Sequence, residues 1–136
     1  KTNTLFQEIN DSNFKQDIIL LGHLEPQELA KYLAASVSLV FPSLFEGFGI
    51  PIVEAFKCEV PVITSKVSST KEIGEGASWL VDPLKVESIK NAMAFMTPEY
   101  SQESYMSNNI TKKLKEYNWD KTAEVFKQEI LKLLNK

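Results

Sequence analysis

The sequence predicts an α/β fold with a parallel sheet and helices on both faces. Three observations carry that prediction. Short apolar runs alternate with helical stretches along the chain, the order of strand–helix–strand units. The runs are continuously apolar rather than alternating, as expected of strands covered on both sides. Glycine and proline fall where these runs end.

Taken in order, residues 1–9 read as the end of a helix, with Leu5, Phe6 and Ile9 as its apolar positions, and Asn10 to Asn13 as a turn-rich break. Asp17 to Leu21 reads as a first buried strand, ended by Gly22. Pro26 suits the first turn of a helix whose apolar face is Leu29, Tyr32 and Leu33. Val37 to Phe41 is a second strand, stopped by Pro42. A glycine-containing loop follows from Ser43 to Ile50, and Pro51 opens a helix that runs to about Lys57. Pro61 to Thr64 is a third strand. One helical turn near Lys71 to Ile73 is broken by Gly74 and Gly76. Trp79 to Val81 is a fourth strand, closed by a turn at Asp82-Pro83. Val86, Ile89, Met93 and Met96 share one face of a helix limited by Pro98. Ala123, Phe126, Ile130, Leu133 and Leu134 form the face of a terminal helix, with Asn118 as its N-cap. Trp79 and Trp119 read as packing residues and Cys58 as a small buried side chain.

The 136 residues suffice for one domain with a core, and no repeat or flexible linker divides them. No apolar run approaches the roughly 20 residues that span a bilayer. The chain opens on Lys1 without a signal-peptide pattern, so its start reads as processed, trimmed or excised from something longer. The single Cys excludes an internal disulfide and fits a reducing compartment. With one Cys and one His, a closed zinc site is not expected. There is no Arg, which argues against nucleic-acid binding. Any phosphate must then be held by Lys, by backbone amides or by another chain. The net charge of −3 divides into −6 over residues 1–107 and +3 over residues 108–136. The Lys-rich end, with Lys112, Lys113 and Lys115, reads as a solvated helix face in preference to contact with anionic lipid.

In a parallel sheet ligands meet the loops after the strands' carboxyl ends. That puts residues 22–25, 42–50 and 65–70 on one rim. The stretch from Phe41 to Ala55 is strand, glycine loop and helix start. Gly47 and Gly49 let backbone approach a ligand closely. The first amides of the helix lack intrahelical partners and, with the helix dipole, suit an anion such as a diphosphate. Glu46 and Glu54 flank this site. A carboxylate beside a phosphate is repelled unless it binds something else, and sugar or ribose hydroxyls can donate two hydrogen bonds to it. Two flanking acids therefore suggest a ligand with diols on both sides, the shape of a nucleotide-sugar.

The string Glu46, seven residues, Glu54 resembles the motif of retaining glycosyltransferases of family 4, the glycosyl transferases group 1 type. Other segments resemble that family in the same order: Leu20-Leu21-Gly22-His23-Leu24, Pro61 to Ser65, Glu72-Ile73-Gly74, Leu80-Val81-Asp82-Pro83, and Trp119 to Ala123. The likeness spans about residues 17 to 125. It implies a Rossmann-like three-layer domain, the later part of the C-terminal, donor-binding lobe of a two-lobed GT-B fold. Residues 1–136 would then be a single, incomplete domain, inactive alone. By that match Glu46 contacts the donor sugar as the catalytic residue. The amides of Phe48, Gly49 and Ile50 hold the diphosphate, and Glu54 binds the ribose. Gly22, His23 and Leu24 face the base.

The implied reaction is hexosyl transfer with retention, from a nucleotide-sugar to a glycan, lipid or other acceptor, with no metal or other cofactor. An N-terminal acceptor-binding lobe is the implied partner. The implied setting is polysaccharide synthesis in the cytoplasm, with peripheral membrane contact as an additional expectation. Stabilising the leaving diphosphate is electrostatic work and needs no Ser-His-Asp set. The chain departs from the family in lacking the basic loop that opens the lobe. It also carries Glu59 where a helix C-cap glycine is usual, which costs up to about 1 kcal/mol. The competing reading is a non-catalytic module that binds nucleotide or pairs with a partner lobe.

Overall fold

The computed structural model describes residues 2–96 and 104–134. Its helices are α1 (Thr2–Asp11), α2 (Pro26–Ala34), α3 (Ile50–Lys57), α4 (Ser68–Gly74), α5 (Val86–Phe95), α6 (Ser104–Leu114) and α7 (Trp119–Leu134). A 3-10 turn covers Lys15–Asp17. Three strands, β1 (Leu39–Phe41), β2 (Val62–Ser65) and β3 (Trp79–Val81), form a parallel sheet in the order β1-β2-β3. The register pairs Val40 with Ile63 and Thr64 with Leu80.

Successive side chains of β2 point to opposite faces. Val62 joins a buried cluster with Ile52, Phe56, Ile73 and Ile110, on the side of α3, α4 and α6. Ile63 joins Val81, Ala92 and Met96 on the side of α5. The sheet is thus covered on both faces, the three-layer α/β arrangement the sequence predicts. Every β2 residue is buried, which explains its uninterrupted run.

α3 buries Ile52, Val53, Ala55 and Phe56 and turns Glu54 and Lys57 outward. It ends in a Schellman motif. The Val60 amide donates to the Ala55 carbonyl at 2.9 Å and the Glu59 amide to the Phe56 carbonyl at 3.0 Å. That motif demands a left-handed residue, and Glu59 supplies it at φ 57. α4 packs so close to β2 that a Cβ on Gly74 would sit 2.8 Å from Thr64 Cγ2. Gly74 is the last residue of α4, so the helix ends where expected, but it starts earlier, at Ser68, and is longer than the single turn expected. α6 is tied to α4 by Lys113, whose Nζ donates to the Glu72 carbonyl at 3.0 Å. Lys113 is thus half-buried and engaged rather than simply solvated.

Several expectations need correction. The apolar run of residues 17–21 is not a strand. Its residues from Ile18 to Leu21 are exposed and outside the sheet. An apolar run becomes a strand only where a neighbour supplies ladder partners, and among the described residues none does. α5 faces the core through Ile89 and Ala92, followed by its C-cap Met96, while Val86 and Met93 are exposed. Trp79 packs as expected, stacked on Phe95 with ring centroids 5.6 Å apart. Trp119 does not, being 84% exposed. Asn118 is the N-cap of α7, its Oδ1 accepting from the amides of Asp120 and Lys121. Pro98 lies outside the described residues.

Candidate functional site

Because the strands are parallel, their carboxyl ends share one rim. The loop 42–49, the start of α4 and the turn at Asp82 all lie there. Hydroxyls on and beyond β2 hold the loop in place. Thr64 Oγ1 donates to the Phe41 carbonyl at 2.9 Å, and Ser65 Oγ to the Ser43 carbonyl at 2.6 Å. Farther out, the Glu46 amide donates to Ser68 Oγ at 3.3 Å, and Ser69 Oγ donates to the Glu46 carbonyl at 2.8 Å. Thr70 closes the base of this segment, its hydroxyl bonding the carbonyls of Ser65 and Val67. The opposite flank of the loop is held by an edge-to-face contact between Phe48 and Tyr117, 5.6 Å between centroids.

The chain turns into α3 at Gly49, whose φ of 105 excludes an ordinary side chain. A Cβ there would also press within 3.2 Å of Ile52 Cδ1. Gly49 is the N-cap residue, no side chain caps the helix, and Pro51 sits in its first turn. Among the described residues the amides of Phe48, Gly49 and Ile50 donate to no backbone acceptor. Nothing lies within 4 Å of where a Gly47 Cβ would be, so no protein atom requires glycine at that position. Glu46 is half-buried before the junction and Glu54 is exposed beyond it. The arrangement offers unpartnered amides between two carboxylates.

Not every residue singled out in the sequence is brought to this junction. Gly22 turns the chain at φ 66, and Gly22 and His23 are exposed while Leu24 is half-buried. No described hydrogen bond joins these three to residues 42–54. Lys66, which stands on the rim, is paired with Asp82 at 3.2 Å. The Leu84 amide, then Lys66, hold the Asp82 carboxyl below its ordinary pKa. Burial, followed by the charges of Glu72 and Glu116, raises the Tyr117 phenol above its own. Sequence reasoning did not single out Ser68, Ser69 or Tyr117. A Ser-Ser-Thr run on a rim loop is visible in the sequence, but its partner 22 residues away is not. Among the described residues no three of His, Cys, Asp and Glu cluster as metal ligands, and no helix is long and apolar enough to cross a membrane.

The chain is a parallel α/β layer whose glycine-cornered loop opens a helix between two glutamates. The glycosyl transferases group 1 family model matches residues 1–113, and the chain belongs to that family. It is 32% identical over 100 residues to an O-antigen chain mannosyltransferase B of Escherichia coli, a match covering 74% of this chain and 26% of that protein. It is 31% identical over 90 residues to the O-antigen chain mannosyltransferase RfbU of Salmonella typhimurium, covering 66% and 26%. The fold is shared with sucrose-phosphate synthase from Thermosynechococcus elongatus at a TM-score of 0.84 and 24% identity, over 98% of this chain and 34% of that one. The chain thus spans about a quarter to a third of the length of these proteins.

Proposed function

We propose that this chain binds the nucleotide-sugar donor of a retaining glycosyltransferase, as the later part of its C-terminal lobe. The observation that carries this reading is the junction at Gly49. There the amides of Phe48, Gly49 and Ile50 are unpartnered and lie between Glu46 and Glu54. In this reading those amides and the α3 dipole hold the diphosphate. Glu54, exposed beyond the junction, accepts from the ribose hydroxyls. Glu46 accepts from the sugar and is the residue nearest the chemistry. The open space at Gly47 leaves room for the ligand. Gly22, His23 and Leu24 face the base, which asks that the unpaired 17–24 stretch settle beside the rim when donor binds.

Mannosyltransferase relatives make mannose the first sugar to try and polysaccharide synthesis the first setting. The reaction uses no resident metal, and the diphosphate is stabilised by fixed dipoles as it leaves. The acceptor is held by a second, partner lobe.

Calorimetric titration with UDP, GDP and their sugar conjugates tests the reading. One nucleotide binds selectively, and Glu54→Gln weakens bare nucleotide and conjugate alike. The loss is roughly tenfold or more, as expected for a hydrogen bond to a charged group. Unchanged nucleotide affinity in Glu54→Gln would refute the ribose assignment.

A further inference from the structure

The Glu46 peptide is gripped on both sides by consecutive residues. Its amide donates to Ser68 Oγ at 3.3 Å and its carbonyl accepts from Ser69 Oγ at 2.8 Å. Both bonds go to the main chain. The Glu46 carboxylate makes no hydrogen bond or ion pair among the described residues, so it is left available.

Ser68 holds its side of the grip in a strained conformation. Its φ is 53, in the left-handed region where glycine is at ease and a residue with a Cβ is not. Glycine would relieve that strain but has no hydroxyl to receive the Glu46 amide. The same arm also fixes the loop at the Phe41 and Ser43 carbonyls, through Thr64 and Ser65. Four hydroxyls on one side of the rim therefore set the course of the loop from strand end to glutamate. The last two determine where the Glu46 Cα stands and which way its side chain leaves the backbone.

We propose that Ser68 and Ser69 are positioning residues, which hold the Glu46 backbone so that its carboxylate meets the sugar of the donor. This rests on the sugar-binding reading of Glu46 given above. The two serines touch neither the nucleotide nor the sugar. Their contribution reaches the ligand only through Glu46, and only the sugar half of the donor feels it.

That selectivity is the test. Affinities for GDP-mannose against GDP, and for UDP-glucose against UDP, are measured on the protein at its natural length. Ser69→Ala weakens the sugar conjugate by up to roughly tenfold, the worth of one well-made hydrogen bond, and leaves bare nucleotide unchanged. Ser69→Thr, which keeps the hydroxyl, restores the conjugate. Ser68→Gly, which relieves the strain but removes the hydroxyl, also weakens the conjugate and leaves bare nucleotide unchanged. In a Glu46→Gln background Ser69→Ala has no additional effect, since the route runs through that carboxylate. Equal weakening of conjugate and bare nucleotide by Ser69→Ala would mean a purely structural role and overturn the proposal. So would an unchanged conjugate affinity in Ser69→Ala when Glu46→Gln lowers it. If Glu46→Gln itself leaves the conjugate untouched, the sugar-binding reading of Glu46 fails first and takes the positioning role with it.

Discussion

α3 and α7 are both amphipathic helices of ordinary pattern, yet they live in different surroundings. In α3 the apolar side chains reach the sheet, and Ile52, Ala55 and Phe56 are wholly inaccessible. In α7 no residue is buried, and Trp119 and Phe126 stand 84% and 69% exposed. What holds α7 is local. Asn118 caps its first turn, and Lys127–Glu124 and Lys132–Glu129 pair along its surface. Its apolar side chains, from Trp119 through Phe126 and Ile130 to Leu131, form an open face along one side of the helix. The comparison teaches that periodicity marks the face a helix needs covered, and says nothing about whether the cover is present. The run at residues 17–21 makes the same point for strands: it is apolar enough for a sheet and joins none.

The largest expected effect would break this comparison most directly. Phe56→Ala removes a fully buried ring and leaves a cavity, so it should cost about 3–5 kcal/mol. Phe126→Ala, on the same scale, should fall within about 0.5 kcal/mol, as an exposed substitution does. Equilibrium urea unfolding of the two variants beside the parent chain decides it. Comparable losses would show that α7 is packed in solution and that the contrast between the helices is not real.

How far the sequence discloses the molecule follows the same division. β2, β3, α3 and the α7 cap are legible because their signals are local: apolar runs, Pro51, Gly49 and Asn118. Most of the candidate junction is legible for that reason too, since Glu46, Gly49 and Glu54 lie within nine consecutive residues. What the sequence hides is every contact made across the sheet. The grip of Ser68 and Ser69 on Glu46 closes over 22 to 23 residues, and the Phe48–Tyr117 ring pair closes over a longer span. The Gly74 constraint comes from Thr64 on a neighbouring element. Trp119 misleads because an aromatic at a helix start is as easily exposed as packed, and only the tertiary neighbour decides. The unpaired run at 17–21 misleads in the same way, since a strand is defined by its partner.

Glu59 sharpens the α3 side of the comparison at an intermediate size. The Schellman closure of α3 places it at φ 57, and its neighbours satisfy the helix carbonyls whatever the side chain. Glu59→Gly should therefore stabilise the chain by up to about 1 kcal/mol, less what glycine adds to the entropy of the unfolded state. The measure is the shift in urea midpoint at constant slope. A destabilised variant would mean that the Glu59 side chain makes a contact worth more than the strain it bears.

Asp82 gives the smallest effect, on the rim itself. Its carboxyl is held below the ordinary value by the Leu84 amide and by Lys66 at 3.2 Å, with Lys85 adding at 4.0 Å. A depressed folded-state value means the unfolded chain binds the proton more readily. The stabilisation is therefore complete above the ordinary aspartate range and is lost as pH falls through the lower, folded value. Asp82→Asn should unfold slightly earlier than the parent near neutrality, and the difference should vanish in strong acid. It should also shrink in high salt, because the pair faces solvent. A difference between the two chains that stayed constant with pH would mean that Asp82 titrates without linkage to folding. Lys66 would then be held only loosely, and its charge would be free to serve the rim of a chain that has no Arg.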